Sequence, residues 1–154
     1  MIDEQTYKTI QEKHSLPLYE RVRDVLEELE YDKEKDSEQI VIKKITKKLV
    51  TKLEEQTSIL ESLLNPDQTI SSMHEAAIFT EKEREEISNT FMECMRVGRE
   101  FAIIELTQKG FKEYLDRLVT FREGKKPYLL ELHKKIHSSW HPRKELKTDI
   151  EYLG

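Results

Sequence analysis

The stretch Val97-Gly98-Arg99-Glu100-Phe101-Ala102-Ile103-Ile104-Glu105-Leu106-Thr107-Gln108-Lys109-Gly110 decides the fold. It follows Thr80-Glu81-Lys82-Glu83, a capping box in which the hydroxyl accepts the Glu83 N–H and the carboxylate reaches back to the Thr80 N–H. The helix opened there carries Ile87, Phe91 and Cys94 or Met95 before it meets Gly98. If Gly98 is tolerated in mid-helix, the helix runs on through Phe101 and Leu106 to Gly110. If Gly98 instead ends it in a left-handed conformation, Phe101–Leu106 is free to be a strand, as its β-branched and aromatic content favours. The second reading is preferred. Thr107 then caps a new helix bearing Phe111, Tyr114, Leu115, Leu118 and Phe121.

Downstream, Gly124-Lys125-Lys126-Pro127 reads as a break. A last helix follows from about Tyr128 to Ser139, with Leu129, Leu132, Ile136 and Trp140 as its apolar stripe. Upstream, Ile42, Ile45, Leu49, Leu53, Gln56, Leu60 and Leu63 recur at steps of three and four, the mark of a long helix. Asp36 or Ser37 can cap that helix, and Asn65-Pro66-Asp67 stops it, because proline removes a donor and restrains its predecessor. Lys43, Lys44, Lys47 and Lys48 form its solvated side. Further towards the N-terminus, Ser15-Leu16-Pro17 reads as a helix start, followed by Leu18, Val22, Val25, Leu26 and Leu29 on one stripe. A short helix over Ser71–Ala77 completes the set.

Bulk composition agrees with a helical chain. Of 154 residues only 4 are Gly and 4 Pro, too few for many tight turns, and the length suits one domain with helical additions. No apolar run approaches the roughly 20 residues that span a bilayer, and Met1-Ile2-Asp3-Glu4 lacks the character of a signal peptide. The cytoplasm is therefore the expected location. Cys94, the single cysteine, sits among Phe91, Met92 and Met95 and reads as a buried thiol. The net charge of −5 is uneven: residues 1–37 carry 11 acids and 6 bases, whereas residues 111–154 carry 7 and 10. An acidic chain is not steered to nucleic acid by its overall field, although its basic C-terminal part suits an anionic partner.

Taken in order, three phrases resemble the winged helix-turn-helix of bacterial and archaeal regulators of the broad MarR and PadR type, over residues 59–121. Ile59-Leu60-Glu61-Ser62-Leu63-Leu64, followed by Asn65 to Ser71, is similar to a first helix and its extended lead-in. Ser72-Met73-His74-Glu75-Ala76-Ala77, a turn at Ile78-Phe79 and Thr80 to Val97 look like the second and recognition helices. Leu106-Thr107-Gln108-Lys109-Gly110 looks like the end of a wing that hands over to a dimerisation helix. The resemblance implies a mainly α fold with a winged-helix-like core, holding one short strand or a minimal wing, flanked by N- and C-terminal helices. Its divisions are an acidic helical extension over 1–37, the core over 38–122, and a C-terminal helix and tail over 123–154.

The function so implied is a DNA-binding transcriptional regulator, acting as a homodimer on double-stranded DNA. Ser71, Ser72, Lys82, Arg84, Ser88, Asn89 and Arg99 are the implied DNA-binding residues. Leu18, Val22, Tyr114, Leu118, Leu129, Leu132 and Ile136 are the expected dimer contacts. A small core of Ile70, Met73, Ala77, Ile87, Phe91 and Met95 would hold the helix-turn-helix. The sequence departs from the pattern in three ways. The aspartate-and-arginine signature of the MarR wing is missing, although Arg99 sits near where it would fall. Gly98 to Thr107 leaves room for one strand only, and Glu81, Glu83, Glu85 and Glu86 outnumber Lys82 and Arg84 where phosphates would lie.

Two other readings come from other classes. Leu16-Pro17-Leu18-Tyr19, with Phe79-Thr80-Glu81-Lys82-Glu83 later, is similar to the helical domain of archaeal GINS replication subunits, which implies a non-catalytic protein-interaction module. The arginine and lysine expected before Ile70 are absent. His133, His137 and His141 share a helical face at spacings of four, which can hold a metal, but exposed histidines beside Lys134 and Lys135 are the preferred reading. No phosphate loop, Gly-x-Ser-x-Gly or Cys-x-x-Cys is present. No enzyme activity, metal or other cofactor is expected.

Overall fold

The computed structural model describes residues 1–142; the tail from Arg143, which the sequence leaves without periodicity, lies outside the described residues. Six helices follow one another: α1 (Glu4–His14), α2 (Tyr19–Glu27), α3 (Glu38–Leu64), α4 (Ile70–Ala77), α5 (Glu81–Thr107) and α6 (Phe111–Ser139). No strand occurs among the described residues. None of these helices is long and apolar enough to cross a membrane.

The boundaries have local causes. Asp3, Ser37, Thr69 and Thr80 each accept a backbone N–H at the start of α1, α3, α4 and α5. Thr80 and Glu83 form the full capping box. Ser15 does not start a helix; it closes α1 in a left-handed conformation at φ 51°. The next helix begins two residues beyond Pro17, whose carbonyl accepts the buried Tyr7 hydroxyl at 2.7 Å. The α5–α6 turn is made by Gln108 and Gly110 at φ 55° and 79°. A Cβ on Gly110 would stand 3.4 Å from the Ile104 side chain, so glycine serves both the backbone and the close approach.

Two expectations are overturned here. Gly98 does not end a helix, and Phe101–Leu106, read as a strand, is the last part of the 27-residue α5. Tertiary contact decides it. Phe101 stacks on Tyr114 with ring centroids 6.2 Å apart, and Tyr114 donates its hydroxyl to the Val97 carbonyl at 2.6 Å. Helical spacing brings Val97, Phe101 and Ile104 to the core together. A strand would send alternate residues of this run to opposite faces.

Nor is Gly124–Pro127 a break. The 29-residue α6 passes through Pro127, and the division expected at 122/123 falls inside this helix. Pro127 and Glu123, four residues before it, are both exposed, so the carbonyl left without its helical donor is on the solvent side of the helix, where the missing bond costs least.

Among the three long helices, α5 runs antiparallel to both α3 and α6, which lie parallel to each other. Lys43 reaches Gln108 and Gln56 reaches Arg122, while Glu100 pairs with Arg117, Glu93 with Lys125 and Glu83 with Lys135 along the α5–α6 hairpin. Two apolar cores lie between them. The larger joins α1 and α2 to the first parts of α3 and α6, through residues such as Tyr7, Leu26, Ile45, Leu53, Leu115 and Leu118. The smaller joins Leu60, Leu63, Phe79, Ile87, Cys94, Leu129, Leu132 and Ile136. Burial pushes the Cys94 thiol up to about 11, fitting an inert core residue.

Candidate interaction surface

The helical course of α5 divides its residues between two faces. Ile87, Thr90 and Cys94 are buried, and Phe91, Val97, Phe101 and Ile104 continue that stripe at the margin of the cores. The opposite side carries Met92, Met95, Arg96, Arg99, Ala102, Ile103 and Leu106, every one of them exposed. Met92 is 57% exposed, Ile103 62% and Leu106 86%. Steps of three and four join them into one ridge along the second half of the helix. Single exposed apolar residues are ordinary on protein surfaces, but a contiguous patch marks a contact site.

The charges around the ridge differ in state. Glu83 is engaged twice, by Lys135 at 2.6 and 2.8 Å and by the Thr80 N–H at 2.7 Å, and these bonds hold its carboxyl below the usual range. Glu93 and Glu100 are turned to Lys125 and Arg117. Arg96 and Arg99 form no ion pair among the described residues, and neither do Glu81, Glu85 and Glu86. The open face therefore has a mainly acidic first third, with Lys82 among the glutamates, and a mixed apolar and basic remainder.

The implied DNA-binding residues do not form one surface. Lys82, Asn89 and Arg99 are exposed along α5. Arg84 is spent on structure, donating from Nη2 to the Ala76 carbonyl at 2.6 Å and so closing the end of α4. Ser72 is likewise internal to the α4 cap, where its hydroxyl accepts the Asp67 N–H at 3.1 Å. Ser71 lies exposed beside it, and Ser88 is half-buried. The expected small core fails as well: Ile70 is 85% exposed, and Met73, Ala77 and Met95 also face solvent. Only Ile87 and, in part, Phe91 face inward as expected.

The expected dimer residues are placed elsewhere too. Val22, Tyr114 and Leu118 are buried in the larger core, and Leu129, Leu132 and Ile136 in the smaller one. They pack within the chain; Leu18 alone of that set is exposed. His133 and His137 are exposed on α6, and His141 lies beyond the helix end. No group of three or more His, Cys, Asp or Glu among the described residues could hold a metal ion. Trp140 caps the outer end of α4, with Nε1 donating to Glu75 at 3.0 Å and its ring 4.2 Å from that of His74.

A second feature is a cleft of about 390 Å³ between α2, α3 and α6. Arg21 forks onto Glu123 at 2.8 and 3.0 Å, and Arg122 onto Asp24 and Gln56. Its other charges are Glu20, Arg23, Glu27 and Lys126, so four bases meet four acids and the cleft has no net charge to attract an ion. It is a clamp between helices. The ridge on α5 was missed in the sequence because Met95 reads as core and Phe101–Leu106 as strand. Its signal is present, however, as a second stripe at three-and-four spacing offset from the buried one. No family model matches the chain, and no curated protein or solved structure matches it.

Proposed function

We propose that the protein is a non-catalytic helical interaction module that engages a protein partner through the open face of α5. The observation that carries this reading is the exposed ridge Met92, Met95, Ala102, Ile103 and Leu106, with Arg96 and Arg99 unpaired among the described residues. Methionines and aliphatic residues flanked by charge suit an adaptable protein contact. Double-stranded DNA is the rival partner. For it, Lys82, Asn89 and Arg99 supply exposed donors, but Glu81, Glu85 and Glu86 share the same face and would repel phosphates.

A photo-crosslinking residue placed at Ile103 tests the proposal, with one at the exposed Lys47 on α3 as control. A discrete protein adduct from position 103 and none from position 47 supports it. Duplex-DNA binding that collapses between low and moderate salt and disappears in Lys82→Ala/Arg99→Ala, with no protein adduct at 103, overturns it in favour of the regulator.

A further inference from the structure

We infer that the occupant of the α5 face is a second copy of this chain, laid antiparallel so that the two α5 helices cross at Met92 and Met95. The inference rests on the interaction reading above and adds the identity of the partner. Glu85, Met92, Arg99 and Leu106 follow one another at intervals of seven, with Met95 and Ala102 on one side of that line and Asn89, Arg96 and Ile103 on the other. Such a repeat is the seam along which two helices pack at a shallow angle.

The charges on the seam are unevenly divided. Glu81, Glu85 and Glu86 outnumber the single Lys82 towards the start of α5, whereas Arg96 and Arg99 lie beyond its middle. A parallel pair would set acid on acid and arginine on arginine. An antiparallel pair brings the arginines of each copy to the glutamates of the other. Two-fold symmetry makes every such contact twice, so a face that complements itself in this way closes as a dimer. Midway between the two groups stands Met92, with Met95 one turn on. Both are exposed and flexible enough to fill an irregular crossing. Ile103 and Leu106 then reach the second copy's α4–α5 corner, where Ile78 is half-buried. The apolar contacts supply affinity, while the ion pairs set orientation and register.

Sedimentation of the full chain across concentration, with charge reversals, tests this. Glu85→Arg and Arg99→Glu each turn two attractive pairs into repulsive ones and are expected to weaken the dimer about tenfold. The joint variant restores attraction with reversed sign and should return to within about threefold of the parent. Met92→Cys should link two copies by a disulfide under mild oxidation, whereas Leu106→Cys should not. A chain monomeric at its highest soluble concentration overturns the inference, as does a joint variant weaker than either single one. Linkage through Leu106→Cys alone does the same. A monomer that still gives a protein adduct through position 103 overturns the self-pairing while leaving the interaction surface standing; loss of both removes both.

Discussion

The two cores are built from the same three long helices but sealed differently. In the larger one, Val22, Val25, Leu26, Ile45, Leu49, Tyr114, Leu115 and Leu118 are fully enclosed, because α1 and α2 close over α3 and α6. That cover is held by the Arg21–Glu123 and Arg122–Asp24 forks. In the smaller core, Leu129, Leu132 and Ile136 each retain some exposure, with half-buried Ile59, Leu64, Ile78 and Tyr128 at the margin. Among the described residues its cover is the eight-residue α4, whose Ile70 and Met73 face water. The difference shows where stability is concentrated.

The largest expected effect breaks the comparison directly. Leu118→Ala should cost about 4 kcal/mol, since a sealed cavity cannot collapse, and Leu132→Ala about 2 kcal/mol at its looser site. Urea unfolding followed by circular dichroism measures both. Fluorescence of Trp140, which reports on the end holding the smaller core, should follow the same single transition. A separate Trp140 transition in Leu132→Ala would make the two cores independent units.

Next in size is the clamp on the larger core. Burial pushes the Asp24 carboxyl up, but the Arg122 bonds and charge more than offset this, and Arg21 holds Glu123 low. Both carboxyls therefore titrate below their ordinary values in the folded chain. The stability they contribute is complete above about pH 5 and drains away as pH falls through the lowered values. Arg122→Ala should cost about 1 kcal/mol at neutral pH, solvent screening keeping the figure small, and should flatten the acid side of the stability profile. An unchanged profile in acid would sink the assignment.

The smallest effect sharpens the contrast between two glycines. A Cβ at Gly98 meets nothing within 4 Å, so Gly98→Ala should stabilise by about 1 kcal/mol. Gly110→Ala should destabilise by a similar amount, about 1 kcal/mol, because its left-handed backbone penalises a side chain. Thermal melts that move in the same direction would contradict one of these assignments.

Much of this architecture is legible in the residues themselves. Thr80 and Glu83 announce the start of α5, Asn65-Pro66 the end of α3, and the leucine spacing the course of α3. Gly98 and Phe101–Leu106 mislead because intrinsic propensity is weak beside packing. Nothing local to Phe101 reveals that Tyr114 will stack on it. Gly124 and Pro127 mislead for a related reason: α6 is held on both sides of them, by Phe121 and Tyr128 and by the Lys125–Glu93 pair. The clamp was invisible because Arg21 and Glu123 are remote in sequence, and the α5 ridge was hidden by the strand reading.

The continuity of α6 through Pro127 also has a consequence for the order of events during synthesis. Tyr114, Leu115, Leu118 and Val119 complete the larger core, and Leu129, Leu132 and Ile136 complete the smaller one. A growing chain that has exposed only α1 to α5 therefore has two open apolar troughs and no finished centre. Folding must wait for α6 to leave the ribosome, and a nascent chain stalled before it is the form most prone to aggregate.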